Sequence, residues 1–305
     1  MDPAIFESTY HGISIDDARL GLRGQVDITR YVSGWPSGGM DEFYAVLSVL
    51  ARKLKLSGPN QVPAEFRLAG DSRIDPDECF YRHSLRRAYE CRASPDEIRD
   101  AIRLAFFAGR FKFPVTAQAY AKTWFGTDCN AFVGNYCGIS PSTSIAAYAR
   151  GYPNGAMQGA TPDLYTSRGL LPVPPVESLD DIKAGTILAT FGAPDTRGNR
   201  WRHIALVQEF TPTIGVGGAR TGGTLIIAEW GRPGGTDLHV TKPAKVQVKE
   251  FKCPELPGRP CLAFDGTDPG GNAAKRIFMD GSRFDEFSTR GFQIYNGTGS
   301  PTYNT

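Results

Sequence analysis

Histidine and methionine are scarce in this chain of 305 residues, four of each, and the six cysteines are too dispersed to build a disulfide scaffold. Cys79, Cys91, Cys129, Cys137, Cys253 and Cys261 contain no C-x-x-C pair, so the usual zinc-ligand spacing is missing. No metal and no cofactor is expected. Runs of lysine or arginine are also missing, and the formal charge is only +2, which argues against nucleic acid as a partner. No apolar stretch approaches the roughly 18 residues of a membrane span. The first residues, Met1-Asp2-Pro3-Ala4-Ile5-Phe6-Glu7, lack the basic and apolar regions of a secretory signal, so a cytoplasmic site of synthesis is expected. No repeat or low-complexity tract is evident.

What is present is enough apolar material, 41% of residues, for one large domain or two of ordinary size. The first part reads as mainly helical. Phe43, Val46, Leu47, Leu50 and Leu54 recur at helical spacing, predicting a helix from Asp41 to Leu56 between Gly38-Gly39 and Ser57-Gly58-Pro59. Ser94-Pro95-Asp96-Glu97 combines a capping box with proline at the first helical position, and Gly109 supplies a stop. A further helix is expected over Glu78 to Arg92, with Arg82, Arg86 and Arg87 as a solvated face and His83 at the surface. Short helices are predicted for Thr116 to Lys122 and Asn130 to Tyr136.

Residues Gly151 to Pro175 are rich in Gly and Pro and read as a long surface loop walling a cleft. Thereafter β-type runs follow: Ile187 to Phe191, His203 to Phe210, Thr224 to Trp230, Lys245 to Lys252 and Cys261 to Asp265. Helices first and strands second predict an α+β domain in which helices pack on an antiparallel sheet. The expected division is a mainly helical region at 1–110 and a second domain at 111–305. Short loops leave disulfides between Cys253 and Cys261, and between Cys79 and Cys91, as open pairings.

The chemistry concentrates at Gly126-Thr127-Asp128-Cys129-Asn130-Ala131-Phe132-Val133, where a thiol emerges from a turn as an apolar helix begins. Unpaired N–H groups and a partial positive charge at a helix start favour the nucleophilic thiolate. Among His11, His83, His203 and His239, the best base is His203, which opens the strand Ile204-Ala205-Leu206-Val207; His239 is the reserve. An imidazole needs an orienting partner. Glu229, a charge inside Leu225-Ile226-Ile227-Ala228-Glu229-Trp230, is the candidate, with Gln208 or Glu209 as alternatives. The structural alternatives are plain: a buried packing cysteine, a strand-end histidine, and a glutamate paired with arginine. Cys137 reads as packing.

Asp128-Cys129-Asn130-Ala131-Phe132-Val133 resembles the Asp-Cys-Ser-Gly-Phe-Val signature of NlpC-type and CHAP-type papain-like cysteine peptidases. Asp181 to Leu188 resembles the segment that leads into their histidine strand, and His203-Ile204-Ala205-Leu206-Val207 is similar to the strand itself. Ile227-Ala228-Glu229-Trp230 falls where CHAP domains carry Val-x-Glu-x-Asn. The likeness covers roughly Ala117 to Asp265. Asn130, Ala131 and Thr186 depart from the usual Ser, Gly and Asp, and the asparagine position falls at Gly231 or Arg232.

The resemblance implies a papain-like fold in which catalytic Cys129, His203 and Glu229 hydrolyse an amide of bacterial peptidoglycan peptides. It assigns oxyanion or substrate binding to the neighbourhood of Asp128, Trp124, Trp230 and Tyr120, against helix capping for Asp128 and core filling for the rings. Trp201 and Phe125 are open to the same two readings. Such an enzyme, made without a signal peptide, implies export by a signal-independent secretion system to the periplasm of a target cell, or a phage lysis system. A toxin of this kind implies a cognate immunity protein as partner. Two further readings stay open: a Cys-His effector acting on a host protein or lipid, and a non-catalytic binding module on the same fold.

Overall fold

The structure is a computed structural model and describes residues 2–32, 37–112, 117–137, 176–193, 201–230, 238–247, 262–267, 273–279, 292–296 and 300–303. The expected loop at 151–175, Cys253 and Cys261, and Gly231 and Arg232 lie outside the described residues.

Among the described residues six α-helices come first: α1 (Pro3–Ser8), α2 (Gly39–Lys53), α3 (Arg82–Tyr89), α4 (Pro95–Phe107), α5 (Ala117–Trp124) and α6 (Cys129–Tyr136). Two small ribbons lie among them, β1 (Ile13–Ser14) with β2 (Gln25–Val26), and β3 (Glu65–Phe66) with β4 (Phe80–Tyr81). In α2 the apolar spacing buries Phe43, Val46, Leu47 and Leu50, while Asp41 and Glu42 in the first turn and Arg52 and Lys53 in the last complement the helix dipole. Helix α4 starts with the complete capping box: Ser94 Oγ accepts from Glu97 N–H, and the Glu97 carboxylate accepts from Ser94 N–H at 3.0 Å. Gly109, at φ +72°, ends it.

The helix expected over Glu78 to Arg92 is shorter, because Phe80 pairs with Phe66 in the β3–β4 ribbon and their rings stack 5.8 Å apart. Its arginines also differ from a uniformly solvated face. Arg87 is buried and ion-paired with Glu97, and its Nη1 lies 3.1 Å from His83 Nε2. Half-buried His83 is therefore not a free surface residue; burial and the Arg87 and Arg86 charges lower its pKa to about 4. Cys79 and Cys91 are free thiols rather than a disulfide.

A curled antiparallel sheet follows. Its strands are β5 (Ile187–Gly192), β6 (Trp201–Ile214), β7 (Arg220–Trp230), β8 (Leu238–Gln247), β9 (Ala263–Thr267) and β10 (Ala273–Met279), in the order β8-β7-β6-β5-β10-β9. The edge strands β8 and β9 approach each other, which is the curl. Strand β9 overlaps the β-type run expected at Cys261 to Asp265, strand β10 extends the sheet beyond the sequence reading, and β11 (Phe292–Asn296) with β12 (Ser300–Tyr303) forms a separate ribbon.

The apolar run Ile187–Phe191 is buried throughout because both sheet faces are covered. Ile187, Ala189, Ile204, Leu206, Ala228 and Trp230 join the helices in one cluster, while Leu188, Ala205, Val207, Leu225 and Ile227 join Val176, Leu179 and Ile182 in another. Each fully buried aliphatic side chain contributes about 1.5–3 kcal/mol. The first cluster runs without a break from Phe6 to Met279 and joins residues 1–110 to those beyond. Phe6 lies 5.5 Å from both Phe132 and Tyr136, and Tyr10 lies 5.1 Å from Trp230. No helix among the described residues is long and apolar enough to cross a membrane.

Candidate active site

The thiol turn is held from the N-terminal region. Thr127 N–H donates to Arg30 O and Val32 N–H donates to Thr127 O, each at 3.1 Å, so residues 30–32 run beside the turn. This closeness explains Gly126, where a Cβ would lie 2.6 Å from Arg30 O. The chain then enters α6 with Asp128 as its extended N-cap residue and Cys129 at the first helical position.

Asp128 uses both carboxylate oxygens. Oδ1 accepts from Ala131 N–H at 2.7 Å, and Oδ2 lies 2.9 Å from Arg92 Nη2. Burial raises the Asp128 carboxyl above its usual range, offset in part by Arg92, by the Ala131 and Asn130 N–H groups and by the charge of His203. The cap thus engages the N–H groups of the second and third helical residues and not that of Cys129. That donor is where an oxyanion at the thiol would find its first hydrogen bond. The thiol itself is buried, 6% exposed, with Asn130 Oδ1 3.9 Å from its sulfur.

His203 lies in β6, opposite Thr190 of β5, and is buried. Helix α6 packs on β6, Cys129 and Phe132 belonging to the same apolar cluster as Ile204 and Leu206. Strict alternation from Ala205 and Val207 would set His203 on the other face. The β5–β6 pairing is regular from Ile187–Leu206 through Thr190–His203 and shifts only beyond it, between Thr190 and Phe191. The charge of His203 reaches Asp128, the residue adjoining Cys129.

Glu229 lies in β7, opposite His239 of β8. The pairs Leu206–Ala228 and Val207–Ile227, continued toward the strand end, set the Glu229 backbone diagonal to that of His203. The two strands expected to carry the base and its partner are therefore neighbours in the sheet.

Tyr120 belongs elsewhere. Its hydroxyl donates to Glu42 Oε1 at 2.8 Å and lies 2.7 Å from the Tyr89 hydroxyl, while Arg110 pairs with Glu42. Phe111 stacks on its ring at 4.8 Å. Trp124 lies 6.4 Å from Tyr120, and its carbonyl faces the Cys91 thiol. Phe125 is fully buried against Tyr89 and Tyr120. Trp230 is fully buried against Tyr10 and Phe132, so it serves the core under α6.

Two groups around the turn have no signal in the sequence: Arg92 and Asn135. Asn135 Nδ2 lies 3.2 Å from both the Tyr10 hydroxyl and the Arg92 carbonyl, tying α6 to the N-terminal region. Arginine at the end of a short helix is common, and only the tertiary packing brings it to Asp128. No protein-family model matches this chain, and neither a curated protein nor a solved structure matches it.

Proposed function

We propose that this protein is a papain-like cysteine amidase or endopeptidase that hydrolyses amide bonds in bacterial peptidoglycan peptides. The observation that carries the reading is Cys129 at the first position of a capped helix, packed on the strand that bears His203. In the proposed reaction Cys129 Sγ attacks the carbonyl carbon and the Cys129 N–H stabilises the oxyanion. His203 gives a proton to the leaving amine, then takes one from the water that releases the acyl group. Glu229 orients the imidazole. Trp230 and Tyr120 act through packing, and Asp128 through the cap.

Digestion of purified sacculi with the full chain, followed by analysis of released muropeptides, tests this. New muropeptides from wild type and none from Cys129→Ala support it. No release from wild type at any pH between 5 and 9 rejects the cell-wall substrate, and leaves a Cys-His effector acting on a protein or lipid for the same thiol.

A binding module without catalysis is the second reading. It is favoured by the low exposure of Cys129 and by the strand alternation that associates His203 with Ala205 and Val207. Iodoacetamide labelling of Cys129 that is indifferent to His203→Ala would support it against the enzyme.

A further inference from the structure

The amide of Asn130 turns back across the start of α6 to the thiol, its Oδ1 3.9 Å from Cys129 Sγ. Successive residues of a helix do not ordinarily face each other, so this contact reflects where the side chain lies and not mere adjacency in sequence. Asn130 is also one of the positions at which the chain departs from the signature it resembles, and the usual serine has no amide to place there. Its polar neighbours have other partners. Asp128 caps the helix and pairs with Arg92, Asn135 donates to Tyr10 and to the Arg92 carbonyl, and the Thr127 hydroxyl lies 3.5 Å from the Asp128 carbonyl. Tyr120 is committed to Glu42 and Tyr89. Asn130 itself is half-buried, at the second position of α6.

We propose that Asn130 is a further catalytic residue: its side-chain amide is the second donor to the oxyanion that forms when Cys129 Sγ attacks a carbonyl. This inference rests on Cys129 as the nucleophile and adds a donor beside the Cys129 N–H. An amide has two ends. Toward a thiol, which donates, it presents Oδ1, the arrangement seen here; toward a thiolate or an oxyanion, which only accept, the matching end is Nδ2–H. A half-turn about Cβ–Cγ exchanges the ends without displacing the rest of the side chain. In the attack the Sγ–C bond forms as the carbonyl π pair moves onto oxygen, and the thiol proton passes to His203. The oxygen then lies two bonds from Sγ, so a group in contact with the sulfur can reach it at the roughly 2.7–3.1 Å that an oxyanion donor requires. The pair returns to carbon as the leaving group departs.

The test compares two reactions of Cys129 in the full chain, both read by peptide mass mapping. Acetylation by p-nitrophenyl acetate passes through an oxyanion: Sγ bonds the acetyl carbon and p-nitrophenolate leaves. Alkylation by iodoacetamide, followed across a pH profile, displaces iodide from a saturated carbon and forms no oxyanion, so it reports the sulfur alone. Asn130→Ala should slow acetylation by about a hundredfold, the loss typical of one oxyanion donor, and leave alkylation within about twofold. Asn130→Asp keeps the shape and suits the first turn of a helix but offers only acceptors, so it should lower acetylation relative to alkylation by at least as much. A ratio of the two rates unchanged in either variant overturns the role of Asn130. Wild-type Cys129 that is alkylated but not acetylated overturns Cys129 as an acyl acceptor, and this inference with it. Indifference of both rates to His203→Ala overturns the Cys-His pair alone, since their ratio does not depend on the base.

Discussion

Gly126 and Arg30 approach so closely that a Cβ on the glycine would lie 2.6 Å from the arginine's carbonyl oxygen. The backbone hydrogen bond from Thr127 to that same oxygen depends on this approach. Gly126→Ala must therefore push residues 30–32 away from the turn before Cys129. The expected loss is about 1–3 kcal/mol of stability, a magnitude typical of forced overpacking. Thermal unfolding measures it, and faster modification of Cys129 at constant pH should accompany it, because the turn that shields the thiol is loosened. An unchanged melting temperature would contradict the close packing.

Tyr120→Phe distinguishes a core role from a site role. Its hydroxyl bonds Glu42 and Tyr89 in a buried network, so deletion leaves those groups incompletely satisfied and should cost about 1–3 kcal/mol. The Cys129 alkylation profile should not move. A changed profile with unchanged stability would return Tyr120 to the active site.

The capping box of α4 gives a calibrated comparison. Ser94→Ala removes the side-chain oxygen that accepts from Glu97 N–H and should cost about 1 kcal/mol, readable as a small drop in denaturant midpoint. It lies away from the thiol turn, so reactivity should be unaffected.

These three residues also mark how far the sequence is legible. Ser94 is readable because the capping box is local: four consecutive residues contain the whole interaction. The helix behind Cys129 is readable for the same reason, since Asp128 is a preferred cap residue directly before an apolar run. The strands of β5, β6 and β7 announce themselves by β-branched runs, whereas β10, with Lys275 and Arg276 inside it, does not. Tyr120 is misleading because its proximity in sequence to Cys129 says nothing about the buried carboxylate of Glu42 that it serves. Arg92 is silent, since an ion pair across the fold leaves no periodicity. Arg87 is silent too: in the sequence it looks like its exposed neighbour Arg86, and only the packing of α3 on α4 shows that Glu97 neutralises it.

Glu7 supplies a prediction with a defined pH window. Burial raises its carboxyl from the ordinary 4.5 to about 7, and its Oε2 makes no hydrogen bond with the described residues. The folded state therefore holds the proton more tightly than the unfolded chain. The stabilisation this brings is fully present below pH 4.5, falls as pH rises, and is gone above about 7. Glu7→Gln removes that dependence. Its melting temperature should exceed that of wild type at pH 8 and converge with it at pH 4. A constant difference across this range would mean that Glu7 titrates as an ordinary carboxyl.

The backbone register makes the sharpest demand on Glu229. It lies opposite His239 in β8 and diagonal to His203 in β6, so it separates the two histidines that could act as base. On the proposed mechanism only His203 exchanges protons with the reacting groups, and Glu229 holds its ring. His203→Ala should therefore abolish hydrolysis, whereas His239→Ala should preserve it. Glu229→Gln should lower kcat by about a thousandfold or more with little change in KM, the behaviour expected when an imidazole keeps its place but loses the partner that fixes its tautomer. Rescue of Glu229→Gln by Glu229→Asp in part, but not by any change at Gln208 or Glu209, would attribute the effect to the carboxylate. The opposite pattern, with His239→Ala inactive and His203→Ala active, would transfer the base to β8 and make Glu229 the bridge to a different histidine.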